Sequence, residues 1–242
     1  MGRKTSEKCI LCEELATKTH IVPRALALDL LGEEKKLVTG SAHRDGIEFS
    51  QNGLWEYMLC EQHEGALGEA DRYGIDFCRT ARSLRHSTKT HMSVPNPAPA
   101  MLLRFSLSVI WRHVNSARGR LAGLSLGPYE NAVRATVFDG AACSFQLGLV
   151  TASHGLDGVP TEIIDLPSRI RLAGLPAWKF STTTVTFITV ISNRALGNGY
   201  ASMLASQQDP ALVPVMPLVD LREAGGRAVI DRMLRPRKSS QR

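Results

Sequence analysis

The spacing of apolar residues changes several times along this chain, and each change predicts an element. Between residues 62 and 86 they recur at Ala66, Ala70, Tyr73, Phe77, Ala81 and Leu84. Those steps of four and three trace one stripe of a long helix, which Gly74 weakens from inside. Upstream, residues 17–22 read as a short strand. Pro23 then opens a helix over residues 24–31, where its missing N–H costs nothing, and Gly32 ends it. A short strand is expected at residues 36–39. Residues 47–59 read as two strands around an Asn52-Gly53 turn, a strong hairpin signal. Three prolines, Pro95, Pro97 and Pro99, make a stiff linker of residues 93–100. The pattern therefore divides the chain into residues 1–94 and 95–242.

Beyond the linker, residues 101–114 read as a buried helix. Leu103, Leu107, Ile110 and Val114 form one stripe, with Leu102, Phe105 and Val109 beside it. Arg112, Arg118 and Arg120 gather toward its C-terminal end, where the helix dipole favours cations. A further helix starts at Gly127-Pro128 and runs to residue 138. Alternation then takes over at Phe145, Leu147 and Leu149 and predicts a strand. Residues 183–191 are apolar on both faces and β-branched, which suits a central strand. Residues 163–164 and 178–180 read as its neighbours, residues 209–217 as a proline-rich loop, and residues 228–234 as a last helix before a basic tail. The fold class expected is α+β, with small helices and an antiparallel sheet in the second part.

Composition narrows the picture. A hydrophobic share of 43% in 242 residues supports a packed core. No apolar run reaches the ~18 residues of a membrane span. The charged start has no apolar segment behind it, so no signal peptide is read and a cytoplasmic location is expected. In that reducing compartment the five cysteines are better suited to metal than to disulfides. A net charge of +6 favours an anionic partner, nucleic acid first.

The chemistry concentrates in the first part. Cys9 and Cys12 form one close pair, Cys60 and His63 another. Together they make a Cys3His set, a closed tetrahedral zinc shell. Cys78 and Cys143 have no partner at metal spacing and read as core residues. At ~100° per residue, His63 falls on the apolar side of the long helix. Glu64 falls on the opposite side with Arg72, Arg79, Arg82, His86 and Lys89. That cationic stripe could meet phosphates, or simply be a solvated face. His20 ends the first strand, between the two metal knuckles. Its plain reading is a strand histidine bonded to a backbone carbonyl, and its catalytic reading is a general base, with Glu56 as the acceptor that orients it.

This order of motifs resembles the HNH, or ββα-metal, nucleases of bacteria and phages. The residues that carry the likeness are Cys9 and Cys12, then Thr19-His20-Ile21-Val22-Pro23, then Leu59-Cys60 with His63-Glu64, then Asp71-Arg72-Tyr73-Gly74. The resemblance implies a zinc-stapled ββα-metal module in residues 1–94 and hydrolysis of DNA phosphodiesters. It implies His20 as general base, Glu64 as ligand of a catalytic Mg²⁺ or Mn²⁺, and His63 as the fourth zinc ligand. The family's asparagine before the second knuckle is missing; Trp55 or Glu56 stands there, and Glu64 stands where histidine is usual. Two rivals remain open: a zinc module that binds nucleic acid without cutting it, and one that binds a protein partner, to which residues 95–242 could contribute.

Overall fold

The computed structural model describes residues 7–30, 37–40, 47–50, 53–84, 91–95, 97–152, 163–183, 185–205 and 211–216. The expected last helix and basic tail, and also His86 and Lys89, lie outside them. The described part is a mixed α+β structure with helices and mainly antiparallel sheets. Its first strands are β1 (Thr17–His20), β2 (Leu37–Gly40), β3 (Ile47–Ser50) and β4 (Trp55–Leu59), with helix α1 (Arg24–Asp29) after β1. The long helix α2 (Glu61–Leu84) follows, then β5 (His91–Val94), α3 (Pro99–Asn115), α4 (Ala117–Leu121) and α5 (Glu130–Asp139). The rest is β6 (Gln146–Ala152), β7 (Ile163–Ile164), β8 (Ser168–Leu172), β9 (Leu175–Thr183), β10 (Val185–Val190) and β11 (Ala211–Met216). Among the described residues no helix is long and apolar enough to cross a membrane.

The hairpin expected around Asn52-Gly53 does not pair as expected. β3 pairs with β2, whereas β4 pairs antiparallel with β1. Gly53 still takes the positive φ, +76°, that the turn signal anticipated. The metal knuckles explain the choice of partner. Cys9 and Cys12 precede β1 and Cys60 follows β4, so setting Thr17 opposite Leu59 brings the two knuckles together.

Helix α3 is the hub. Every residue from Phe105 to Val114 is buried. One side packs on α2, where the Phe105 ring sits directly on Gly74. The other side packs on a sheet ordered β5-β11-β6-β10-β9-β7, with β8 also on β9. There Phe105 meets Phe187 and Phe180 at ring-centroid distances of 5.3 and 6.4 Å, and the Ser106 and Thr189 hydroxyls are 2.6 Å apart. All six residues of β10 are buried and it lies between β6 and β9, the central strand its composition requires.

The boundary drawn at residue 94 does not separate two cores. One apolar cluster runs from Cys9 and Leu26 through Phe77 and Phe105 to Phe187 and Val213. Part of the expected linker is strand β5, and part of the expected proline-rich loop is β11, its partner. β11 tolerates Pro214 because it changes neighbours there: it pairs with β5 through Pro214, then with β6, in parallel, from Val215. A proline suits such a break because it has no N–H to give to a ladder.

Candidate metal centre and the residues around it

The Cys9–Cys12 knuckle is shaped by backbone bonds. The Cys9 N–H donates to the Glu14 carbonyl at 2.8 Å, and the Leu11 N–H reaches the Cys9 sulfur at 3.4 Å. The Ile10 N–H donates to the Met58 carbonyl at 3.0 Å, tying the knuckle to β4. On the other side Cys60 directly follows β4, and the Glu64 N–H donates to its carbonyl at 2.9 Å, starting α2 with His63 in the first turn.

Cys9, Cys12, Cys60 and His63 gather with their ligand atoms all within 4.8 Å of one another. Zinc bonds of about 2.3 Å to sulfur and 2.05 Å to nitrogen give tetrahedral edges of roughly 3.8 Å (S···S) and 3.6 Å (S···N). Cys12 and Cys60 sulfurs are 3.7 Å apart. The His63 Nδ1 lies 3.5, 3.7 and 3.1 Å from the sulfurs of Cys9, Cys12 and Cys60. These edges and this donor set fit a zinc-like ion, with Nδ1 as the imidazole ligand. The His63 ring stands edge-on to Phe138, 5.8 Å between centroids, which holds its orientation.

The two thiols of the first knuckle differ in how readily they ionise. Burial opposes ionisation of Cys9, but amide N–H groups led by that of Leu11 hold its pKa below the ordinary thiol value. A backbone N–H at Glu14 helps the Cys12 thiolate; burial and the neighbouring Cys9 and Cys60 sulfurs outweigh it and push Cys12 up to about 11. Several thiolates at such distances coexist only around a positive ion.

Beside this centre, β1 presents two different faces. Thr19 is opposite Glu56, and His20 is opposite Trp55. Thr19 is fully buried, and its hydroxyl accepts from the Leu59 N–H at 3.1 Å. It also hydrogen-bonds the Glu64 carboxylate. Glu64 is therefore not on a solvated face, as the helical wheel suggested, but half-buried and within reach of the Arg112 charge from α3. Its Oε1 is buried without a hydrogen-bond partner. Burial raises its pKa above the ordinary carboxylate value; Thr19 and the Arg112 charge pull it down, and Asp71 adds to the rise.

His20 is half-buried at the end of β1. A Cβ added at Gly53 would come within 3.2 Å of the Ala27 methyl and 3.9 Å of the His20 ring. Glycine there thus lets the turn pass close to both. Glu56, expected to orient His20, also reaches toward α4. Its carboxylate accepts the Ala117 N–H at 2.6 Å, at the open start of α4, where unpaired amide groups attract an acceptor.

The cationic stripe is divided in the same way. Arg79 forms a two-point pair with Asp29, at 2.8 and 3.0 Å, and Arg82 donates to the Asp29 carbonyl at 3.0 Å. Both fasten α1 to α2. Arg72 is exposed.

Sequence reading missed one pair. Arg112, only 1% exposed, meets Asp71 through two bonds of 2.8 Å. Its Nη2 also donates to the Ser108 hydroxyl at 3.0 Å. The signal was present: Arg112 continues the Phe105–Val109 stripe, and a charge at a buried stripe position needs a buried partner. Cys78 is a core residue as expected; burial pushes its thiol up to about 12, against a bond to the Thr182 hydroxyl at 3.1 Å. Elsewhere an open groove of about 570 Å³ lies between the turn before α5 and strands β8–β9, lined by Trp178, Arg169, Arg171 and Tyr129 among others, and includes none of the nominated residues. Comparison with known proteins found no matching family model, no matching curated protein and no matching solved structure.

Proposed function

We propose that this chain is a zinc-stapled, metal-dependent endonuclease of the HNH type acting on DNA. The observation that carries the reading is the buried, unpartnered Oε1 of Glu64, held beside the Thr19 hydroxyl on β1, the strand whose opposite face carries His20. Carboxylate and hydroxyl oxygens suit Mg²⁺ or Mn²⁺, which are commonly held by one or two carboxylates together with substrate phosphates. Such a cation supplies neutralisation of charge growing on the phosphate during cleavage. Glu64 and Thr19 would hold it. His20, as a neutral imidazole, would take the proton of the attacking water at a ring nitrogen. Cys9, Cys12, Cys60 and His63 serve structurally. They lock β4 and α2 to the segment before β1, and so fix Thr19 against Glu64.

The test is plasmid nicking with Mg²⁺ or Mn²⁺ by wild type, His20→Ala and Glu64→Gln of equal zinc content. Loss of a general base or a metal ligand is expected to slow cleavage by ~100-fold or more. Absence of metal-dependent cleavage by the wild type on supercoiled, linear and single-stranded DNA would overturn the reading.

A second reading, a zinc module that binds nucleic acid without cutting, is favoured by two observations. Among the described residues no second group of three His, Cys, Asp or Glu ligands gathers around Glu64. The Arg112 guanidinium already acts on that carboxylate. This reading predicts salt-sensitive binding and no nicking.

A further inference from the structure

Beside His20, on the β1–β4 ribbon, Trp55 and Tyr57 each remain 37% exposed. Large aromatic side chains are ordinarily well covered. Their rings stand edge-to-face, 5.6 Å apart at 89°. The Lys18 Nζ sits 4.5 Å from the centre of the Trp55 ring, and cross-strand pairing sets Tyr57 opposite Lys18 and Trp55 opposite His20. Opposed residues of an antiparallel pair share a face. Lys18, His20, Trp55 and Tyr57 therefore form one face, cationic and aromatic together, while Thr19 and Glu56 occupy the other.

We infer that this face is a stacking platform for an unpaired base, and that the substrate class of the His20 site is single-stranded or locally unpaired DNA. The inference rests on the nuclease reading of the preceding section. In a duplex each base face is already covered by its neighbours, so an indole face is of use only to a base that has left the stack. The lysine over the indole supplies the positive charge that a phosphate beside such a base requires. A protein partner would be better met by a face depleted of charge at its centre; here a lysine lies over the indole itself.

The experiment uses full-length, zinc-loaded protein and fluorescence anisotropy with a labelled single strand and the duplex of the same sequence, without Mg²⁺. Zinc content and Tm of each variant are matched to wild type first. Trp55→Ala and Tyr57→Ala are expected to weaken single-strand binding by roughly 5- to 150-fold each, to change duplex binding less than twofold, and Trp55→Phe to restore most of the loss. Equal losses on both substrates, no loss on either, or a wild-type preference for duplex would overturn the platform. Nicking that persists with Mg²⁺ in those cases would leave the nuclease reading intact. A single-strand preference that depends on Trp55 without any cleavage would do the reverse. Failure of wild type to bind either oligonucleotide would overturn the platform and leave the face to a protein partner, while the nicking assay with Mg²⁺ decides the nuclease reading by itself.

Discussion

Gly74→Ala separates what the helix wants from what the fold allows. In an isolated helix the change stabilises by about 1 kcal/mol, because alanine loses less backbone freedom. In this fold the new Cβ would sit 2.4, 2.5 and 2.7 Å from Cγ, Cδ2 and Cδ1 of Phe105. That ring is fully buried and is backed by Phe187 and Phe180, themselves stacked at 5.0 Å, so it has nowhere to go without moving the sheet. With contacts this short against a ring that cannot move, overpacking falls in the upper part of its usual range, about 2–3 kcal/mol, leaving a net loss of roughly 1–2 kcal/mol after the propensity gain. For a chain of this size that lowers Tm by roughly 2–8 °C. Gly68 in the same helix is the control, since a Cβ there meets nothing within 4 Å. Gly68→Ala should raise the Tm by a few degrees, showing the effect of propensity alone. The assay is thermal unfolding followed by circular dichroism, with urea midpoints as a second measure. Phe105→Leu in the Gly74→Ala background should recover part of the loss, a non-additivity read from the double-mutant cycle. A Tm for Gly74→Ala at or above wild type would refute the claim that α2 and α3 meet at this contact.

Three further outcomes are expected. Cys60→Ser, or wild type treated with a strong chelator, should lose its metal and much of its stability, since structural zinc sites contribute on the order of 10 kcal/mol; metal analysis alongside near-UV circular dichroism checks this, and unchanged spectra after full metal removal would contradict it. Removing one partner of the buried pair, as in Arg112→Met, should cost about 3–5 kcal/mol, and Arg112→Met with Asp71→Leu much less; urea denaturation of both variants decides, and equal losses would sink the argument. Asp165 is raised by burial to about 6, against the Lys179 charge and the Ser181 N–H, which lower it. Because the folded pKa lies above the unfolded one, its ionisation costs stability above pH 6, and the cost fades as pH falls toward 4, by on the order of 3 kcal/mol in all. Asp165→Asn should flatten that part of the pH–stability curve, and an unchanged slope would show that another group is responsible.

Much of the local structure was legible because it is local. Pro23 opens α1, Gly53 turns the chain into β4, and the apolar stripe of α2 and the all-buried composition of β10 each follow from spacing within one segment. The Cys3His centre was legible for a different reason. Thiols and imidazole at knuckle spacing are a recognisable ligand set, and the observed sulfur and nitrogen separations match a tetrahedral ion. Pairings between distant segments were less so. A turn signal at residues 52–53 says that the chain reverses but not which strand receives β4, and β1 received it. Prolines near residues 95 and 214 looked like interruptions, because a sequence does not show that β5 and β11 would pair.

What the sequence determined by itself, then, is the strongly periodic elements, such as α2, α3 and β10, and the Cys3His set that could hold a metal, since both depend on periodicity and on side-chain chemistry within short spans. Only the tertiary structure decided how charged residues are used. Helical geometry put Glu64, Arg79 and Arg82 on one face of α2, but α1 and α3 bring partners to those residues. The arrival of Asp29 engages the two arginines, and that of Arg112 beside Asp71 brings a buried charge close to Glu64. Charge is long-ranged and unsaturable by local sequence, so the partner that a buried ionic group finds is set by the packing that buries it.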